Sequence, residues 1–133
     1  MTVDGELLVA KAREVASSAY APYSNFAVGA ALLGESGKIY TGCNVENASY
    51  GLTVCAERAA VFHAVSQGER RFLAMGLSVP GAGAPCGACR QVLYEFAPDL
   101  KLFIGDERGD TVRQVSLRDL LPGAFGPKDL QTP

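Results

Sequence analysis

Two short segments, Cys55-Ala56-Glu57 and Pro85-Cys86-Gly87-Ala88-Cys89, hold the side chains of this chain best suited to chemistry. Each precedes a run that reads as a helix, so each cysteine group falls at a helix N-terminus. There the unpaired backbone N–H groups and the positive end of the helix dipole favour thiolate, the form that binds a metal. A Cys-x-x-Cys pair at one helix start can present both sulfurs on one side, and Cys55 from a neighbouring helix completes a set of three. Three thiolates on Zn²⁺ leave the fourth tetrahedral position open for water, which is the arrangement of a reactive rather than a structural site. Zinc lowers the pKa of such a water to about 7, but hydrolysis still needs a group that takes the proton and passes it on. Glu57 is the candidate, a carboxylate in the same helical turn as a ligand. Residues two apart do not face each other within a helix, so Cys55 and Glu57 are expected to point forward together from a frayed first turn.

Other uses of these residues are weaker. A redox Cys-x-x-Cys pair leaves Cys55 and Glu57 without a role. A non-catalytic interaction domain stabilised by a Cys₄ zinc site would have to recruit Cys43, but eleven residues separate Cys43 from Cys55 and the two do not form a knuckle pair. Cys43 is expected to be a small buried apolar residue on its strand. His63, the one histidine, follows Cys55 by eight residues, which is about 12 Å along a helix, beyond reach of the same metal.

The elements that must position these groups follow from periodicity and turn residues. Helices are expected over Asp4–Tyr20, Cys55–Gln67, Pro85–Phe96 and Ser116–Leu121, and strands over Ala27–Leu33, Lys38–Asn44, Arg71–Val79, Leu100–Ile104 and Thr111–Val115. Strands alternating with helices predict an α/β fold, a mixed five-stranded sheet with helices on both faces. Phe62, Phe72, Phe96 and Phe103 lie on these elements and are expected in the core. The 133 residues, with 48% hydrophobic and 20% charged, fit a single domain spanning 1–133.

Charge narrows the partners. Twelve Lys+Arg against fourteen Asp+Glu give a net charge of −2, and the only basic doublet is Arg70-Arg71, so the phosphate-neutralising face of a nucleic-acid binder is not expected. The longest apolar stretch, Phe26 to Leu33, is far short of the ~20 residues that span a bilayer. The N-terminus has early acidic residues and no continuous apolar core, so neither a secretory signal nor a transit peptide is expected there, and the protein is placed in the cytoplasm.

Cys-x-Glu followed at a distance by Pro-Cys-x-x-Cys resembles the zinc-deaminase signature with Cys in place of His as first ligand. The likeness extends over Asn44-Val45-Glu46-Asn47-Ala48-Ser49-Tyr50-Gly51-Leu52-Thr53-Val54 before Cys55, Arg90-Gln91 after Cys89, Ala-Pro-Tyr-Ser-Asn-Phe at 21–26 and Leu120-Leu121-Pro122-Gly123-Ala124-Phe125. In these segments the chain resembles the small homotetrameric cytidine deaminases. That resemblance implies a three-layer α-β-α fold, one Zn²⁺ per subunit held by Cys55, Cys86 and Cys89, and hydrolytic deamination of cytidine and 2′-deoxycytidine in pyrimidine salvage. By the same likeness Glu57 shuttles the proton from water to N3 and assists loss of the 4-amino group, and Ala56 N–H with backbone near Cys86 holds the base edge. Phe26 packs on the base, while Asn44 and Glu46 bind the ribose hydroxyls; an amide and a carboxylate two apart on an extended segment suit a diol. Phe125 and the loop around Ala48 and Tyr50 resemble residues that reach a neighbouring subunit's pocket. Three thiolates give the zinc site a formal charge of −1, and an Arg donating to sulfur offsets it; Arg58 resembles the residue in that role, and Arg90 is a second candidate. A related family, deaminating cytosine-nucleoside antibiotics with the same zinc chemistry, is the nearest alternative.

Overall fold

In the computed structural model of the chain, which describes residues 2–130, all six residues of β1, Gly29–Gly34, are buried. A strand buried on both faces lies between two layers, and its period-two alternation divides it between them. Ala30 and Leu32 join the larger core, under α2 (Ala56–Ser66) and α3 (Gly87–Phe96). Ala31 and Leu33 pack on the other side with Leu8 and Ala12 of α1, Gly5–Ala16. The sheet runs β2-β1-β3-β4-β5, with β2 Ile39–Cys43, β3 Phe72–Ser78, β4 Lys101–Gly105 and β5 Val112–Ser116. Only the β3–β4 pair is parallel, and α3 makes that crossover. A short α4, Leu117–Leu120, adds the buried Leu117 to the larger core. The fold is thus the expected mixed five-stranded sheet between helical layers.

Apart from the end of the first helix, element bounds agree with the periodicity reading to within one or two residues, and two expectations differ from the structure. The first helix stops at Ala16 rather than Tyr20. The Ser17 hydroxyl donates to the Glu14 carbonyl at 2.7 Å, and the Tyr20 amide donates to the Asn44 carbonyl at 3.0 Å; both compete with helix continuation. Phe62 is the second. Helix α2 buries Ala56, Glu57, Ala60, Val61 and Ala64, a stripe that leaves the next position round the helix facing outward, and Phe62 is 51% exposed. Phe72 is buried, and Phe96 and Phe103 pack against the cores as expected.

Helix α2 approaches the sheet at Gly42. A Cβ there would lie 2.4 Å from the Ala60 nitrogen and 2.8 Å from the Ala56 oxygen, and helix backbone does not step aside as a flexible side chain does. Gly42→Ala is therefore expected to destabilise the fold by about 2 kcal/mol, seen as a drop of several degrees in the calorimetric melting temperature. An unchanged melting temperature would show that α2 can lift off freely.

Candidate metal centre and active site

Three backbone segments fix the approach to the first cysteine. The Tyr20 carbonyl accepts from the Glu46 amide at 2.8 Å, while Val45 and Val54 exchange two hydrogen bonds of 3.0 Å. Residues 44–46 are thereby flanked by Tyr20 on one side and Val54 on the other. The residue after Val54 enters the site beside Asn44 and Glu46.

Cys55 is the N-cap of α2, with extended backbone (φ −72°, ψ 156°), and Glu57 lies in the first turn. No frayed turn is needed to aim both side chains: Cys55 stands outside the helix, and the i, i+2 restriction of a helix body does not apply to it. Cys86 is likewise the extended N-cap of α3 (φ −66°, ψ 169°), and Cys89 occupies the third helical position. The N-cap and third helical positions are the pair whose side chains reach toward each other's backbone in a capping box, which explains why Cys-x-x-Cys converges at a helix start. Neither Cys55 nor Cys86 makes a side-chain capping bond, so both sulfurs are left for other partners.

The sulfurs of Cys55, Cys86 and Cys89 all lie within 4.8 Å of one another, with Cys55 and Cys86 4.0 Å apart. Tetrahedral ligands at the Zn–S distance of 2.3 Å sit about 3.8 Å apart, so the set fits zinc with slight contraction. Arg58 Nη2 donates to Cys55 Sγ and to the Thr53 carbonyl, each at 3.4 Å. Arg90 faces away from this role: its Nε and Nη1 donate to the carbonyls of Pro85 and Leu120 at 2.7 and 2.9 Å. Of the two candidate arginines, Arg58 is the one at sulfur. A hydrogen bond from Cys89, reinforced by the Arg58 guanidinium, brings the Cys55 thiol down to about 5. Cys89, the donor in that bond and buried, is pushed up.

Glu57 is only 5% exposed, and burial pushes its carboxyl up to about 7. It lines a cavity of about 450 Å³ whose floor also includes Cys55, Ala56 and Cys86. Phe26, Val28, Val79 and Ala84 form apolar walls, and Ser24, Asn44, Glu46 and Thr53 supply the polar rim. The Asn44 amide is engaged at both ends, Oδ1 accepting from the Val28 amide at 2.9 Å and Nδ2 donating to the Phe26 carbonyl at 2.7 Å. Glu46 Oε1 accepts from the amides of Tyr23 and Ser24, at 2.9 and 3.2 Å, and Oε2 from the Ser24 hydroxyl. These two side chains therefore also hold the loop that carries Phe26. A hollow of equal volume beside Phe72, Asp99 and Lys101 includes no cysteine or histidine in its lining.

Three other residues fall outside the cavity. Phe125, 56% exposed, is not part of its lining. His63 sets Nδ1 3.0 Å from the Thr41 carbonyl, away from the sulfurs. Gly42 meets α2, so Cys43, next along β2, points to the opposite face of the sheet, and it is not in the sulfur group. Ser24, Val28, Thr53, Val79 and Ala84 enter the cavity without having been singled out. Ser24 and Thr53 lie within the 21–26 and 44–54 runs of the likeness, and Val28, Val79 and Ala84 carry no local chemical signature.

The family description "Cytidine and deoxycytidylate deaminase zinc-binding region" matches residues 3–104. A cytidine deaminase of Sporosarcina psychrophila is 47% identical over 131 residues, covering 96% of this chain and 96% of that protein. One from Mycobacterium tuberculosis strain H37Rv is 50% identical over 131 residues, covering 96% and 94%. The crystal structure of cytidine deaminase from Burkholderia pseudomallei superposes with a TM-score of 0.87 at 49% identity, covering 92% of this chain and all of that one. On sequence and on fold alike, the chain belongs to the zinc-binding cytidine and deoxycytidylate deaminase family, and its three-cysteine centre is a zinc site.

Proposed function

We propose that the chain is a hydrolase that converts cytidine and 2′-deoxycytidine, with one water, to uridine and 2′-deoxyuridine and ammonia. The observation that carries this reading is the buried Glu57 carboxyl facing the same cavity as two of the three sulfurs. Cys55, Cys86 and Cys89 would hold zinc, which would lower the pKa of a water so that its proton is available near neutral pH. Glu57 accepts that proton, delivers it to N3 of the pyrimidine, and later protonates the departing 4-amino group; the water oxygen becomes the 4-oxo group. A carboxyl raised to about 7 by burial both takes and gives a proton near neutrality. Ala56, the first helical residue, has an N–H without an intrahelical acceptor and offers it to the base edge, together with backbone near Cys86. Phe26 packs on the ring. Asn44 Nδ2 keeps a second hydrogen and Glu46 keeps free lone pairs, and the two bind the ribose hydroxyls.

A free nucleoside is favoured over a 5′-nucleotide. The cavity adjoins a hollow of about 370 Å³ that shares Ser24, Glu46 and Thr53 and adds Tyr23 and Tyr50. Together the two linings hold the carboxylates of Glu46 and Glu57 and no Lys, Arg or His, which repels a phosphate monoester. The working form in this reading is a cytoplasmic homotetramer of one-domain subunits spanning 1–133, acting in pyrimidine salvage and binding neither nucleic acid nor membrane. Among the described residues no helix is long and apolar enough to cross a membrane. Tyr50 and Phe125, 74% and 56% exposed, are the residues offered to neighbouring subunits' sites.

Glu57→Ala is expected to lower cytidine turnover by about 10³-fold while the metal content stays at one zinc per chain. Cys86→Ala loses both zinc and turnover, and Cys43→Ala loses neither; a zinc-loaded wild type that leaves cytidine unchanged would reject the assignment. Cytidine should exceed 5′-CMP in kcat/KM by about a hundredfold or more, as like-charge contact requires, and comparable values for the two would overturn the nucleoside reading. Light scattering should give four times the mass of one chain, and a monomer with full activity would remove the neighbouring-subunit contribution.

A further inference from the structure

Two residues of the cavity lining, Val79 and Ala84, flank a strained turn that is held from outside the site. Between β3 and α3 the chain passes through Gly81 (φ 77°, ψ 6°) and Ala82 (φ 54°), two consecutive residues in the left-handed region. Glycine accepts that conformation; alanine resists it at a cost of about 1–2 kcal/mol and persists there only where surrounding contacts impose it. The turn supplies those contacts in part, since the Ala82 amide donates to the Val79 carbonyl at 2.7 Å and the Val79 amide to the Gly105 carbonyl at 3.0 Å. Two side chains from the far end of β4 and from β5 supply the rest. Asp106 Oδ1 accepts from the Gly81 amide at 3.3 Å and from the Glu107 amide at 2.6 Å. Arg113 Nη2 donates to the Ala82 carbonyl at 3.0 Å. Asp106 is itself fixed, because its carbonyl accepts from Arg13 Nε of α1 at 3.0 Å. The tethered turn is flanked by Val79 and Ala84, both of which line the cavity. Cys86, two residues beyond Ala84, has separate support: Arg90 donates to the Pro85 carbonyl at 2.7 Å.

We propose that Asp106 and Arg113 are positioning residues for the nucleoside pocket, holding the 79–84 turn so that Val79 and Ala84 form a closed wall against the bound base. The inference rests on the deaminase reading and adds to it two residues that touch neither substrate nor metal. Because Val79 and Ala84 line the cavity and carry none of the reacting groups, loosening the turn between them weakens ground state and transition state alike, which raises KM and leaves kcat in place. The separate anchoring of Cys86 keeps the zinc bound.

The test compares wild type, Asp106→Ala, Asp106→Asn and Arg113→Ala as zinc-loaded full chains, by steady-state kinetics on cytidine, metal content and amide hydrogen exchange. Asp106→Ala and Arg113→Ala are expected to raise KM about fivefold, the scale of one lost hydrogen bond, with kcat within about twofold and zinc unchanged. Exchange over residues 79–84 accelerates in both. Asp106→Asn, which retains the acceptor oxygen, returns KM and exchange close to wild type. Unchanged KM and exchange in both alanine variants overturn the proposal, as does an Asp106→Asn chain that fails as badly as Asp106→Ala. A wild type inert toward cytidine rejects the deaminase reading instead, and the exchange comparison then still decides whether the two side chains hold the turn.

Discussion

The site depends on the meeting of two helix N-termini where β2 and β3 end beside the start of β1. Three thiolates repel one another, and gathering them within 4.8 Å around a metal needs a positive environment. The first turns of α2 and α3 supply it through unpaired N–H groups and aligned dipoles, and the Arg58 guanidinium adds a full charge at Cys55. The requirement propagates outward. Helix α2 can bring its N-cap to α3 only by lying close on β2, which the missing side chain of Gly42 permits. Its stripe of Ala56, Ala60 and Ala64 keeps that interface thin.

The rim of the cavity shows polar side chains working in two directions. Asn44 and Glu46 bond to backbone of the 23–28 loop and simultaneously face the cavity. Substitution of either therefore perturbs the Phe26 wall as well as any contact to a sugar hydroxyl, and a loss of affinity at these positions has two separable origins. Ser24 links them: its hydroxyl donates to Glu46 and accepts from the Phe26 amide at 3.0 Å.

Local signals made the sulfur ligands and the layer order readable from the sequence. The alternation in Ala30-Ala31-Leu32-Leu33, apolar on both phases, marks a strand buried on two sides, and Pro85 before Cys86 marks a helix start. What sequence spacing could not supply was the extended N-cap conformation of Cys55, which depends on Val54 pairing with Val45. Helix α1 ends short of its apolar periodicity because Tyr20 pairs with residues 44–46, a contact across more than twenty positions. Phe62 lies outside the core because an alanine-rich stripe, rather than the bulky aromatic, faces the sheet. Val79, Ala84, Asp106 and Arg113 carry no local signal, since their roles arise where β3 and β4 end beside the start of β5.

The 4.0 Å approach of Cys55 to Cys86 also bears on how the protein survives handling. Sulfurs at that separation are about 2 Å from disulfide bonding distance, and Cys86 is exposed. Stripping the metal in air thus leaves a dithiol open to oxidation, and the resulting cross-link would block reloading while leaving the core untouched. Bound zinc would then act as a protecting group for its own ligands, and chelation would call for a reductant if the metal is to be reloaded.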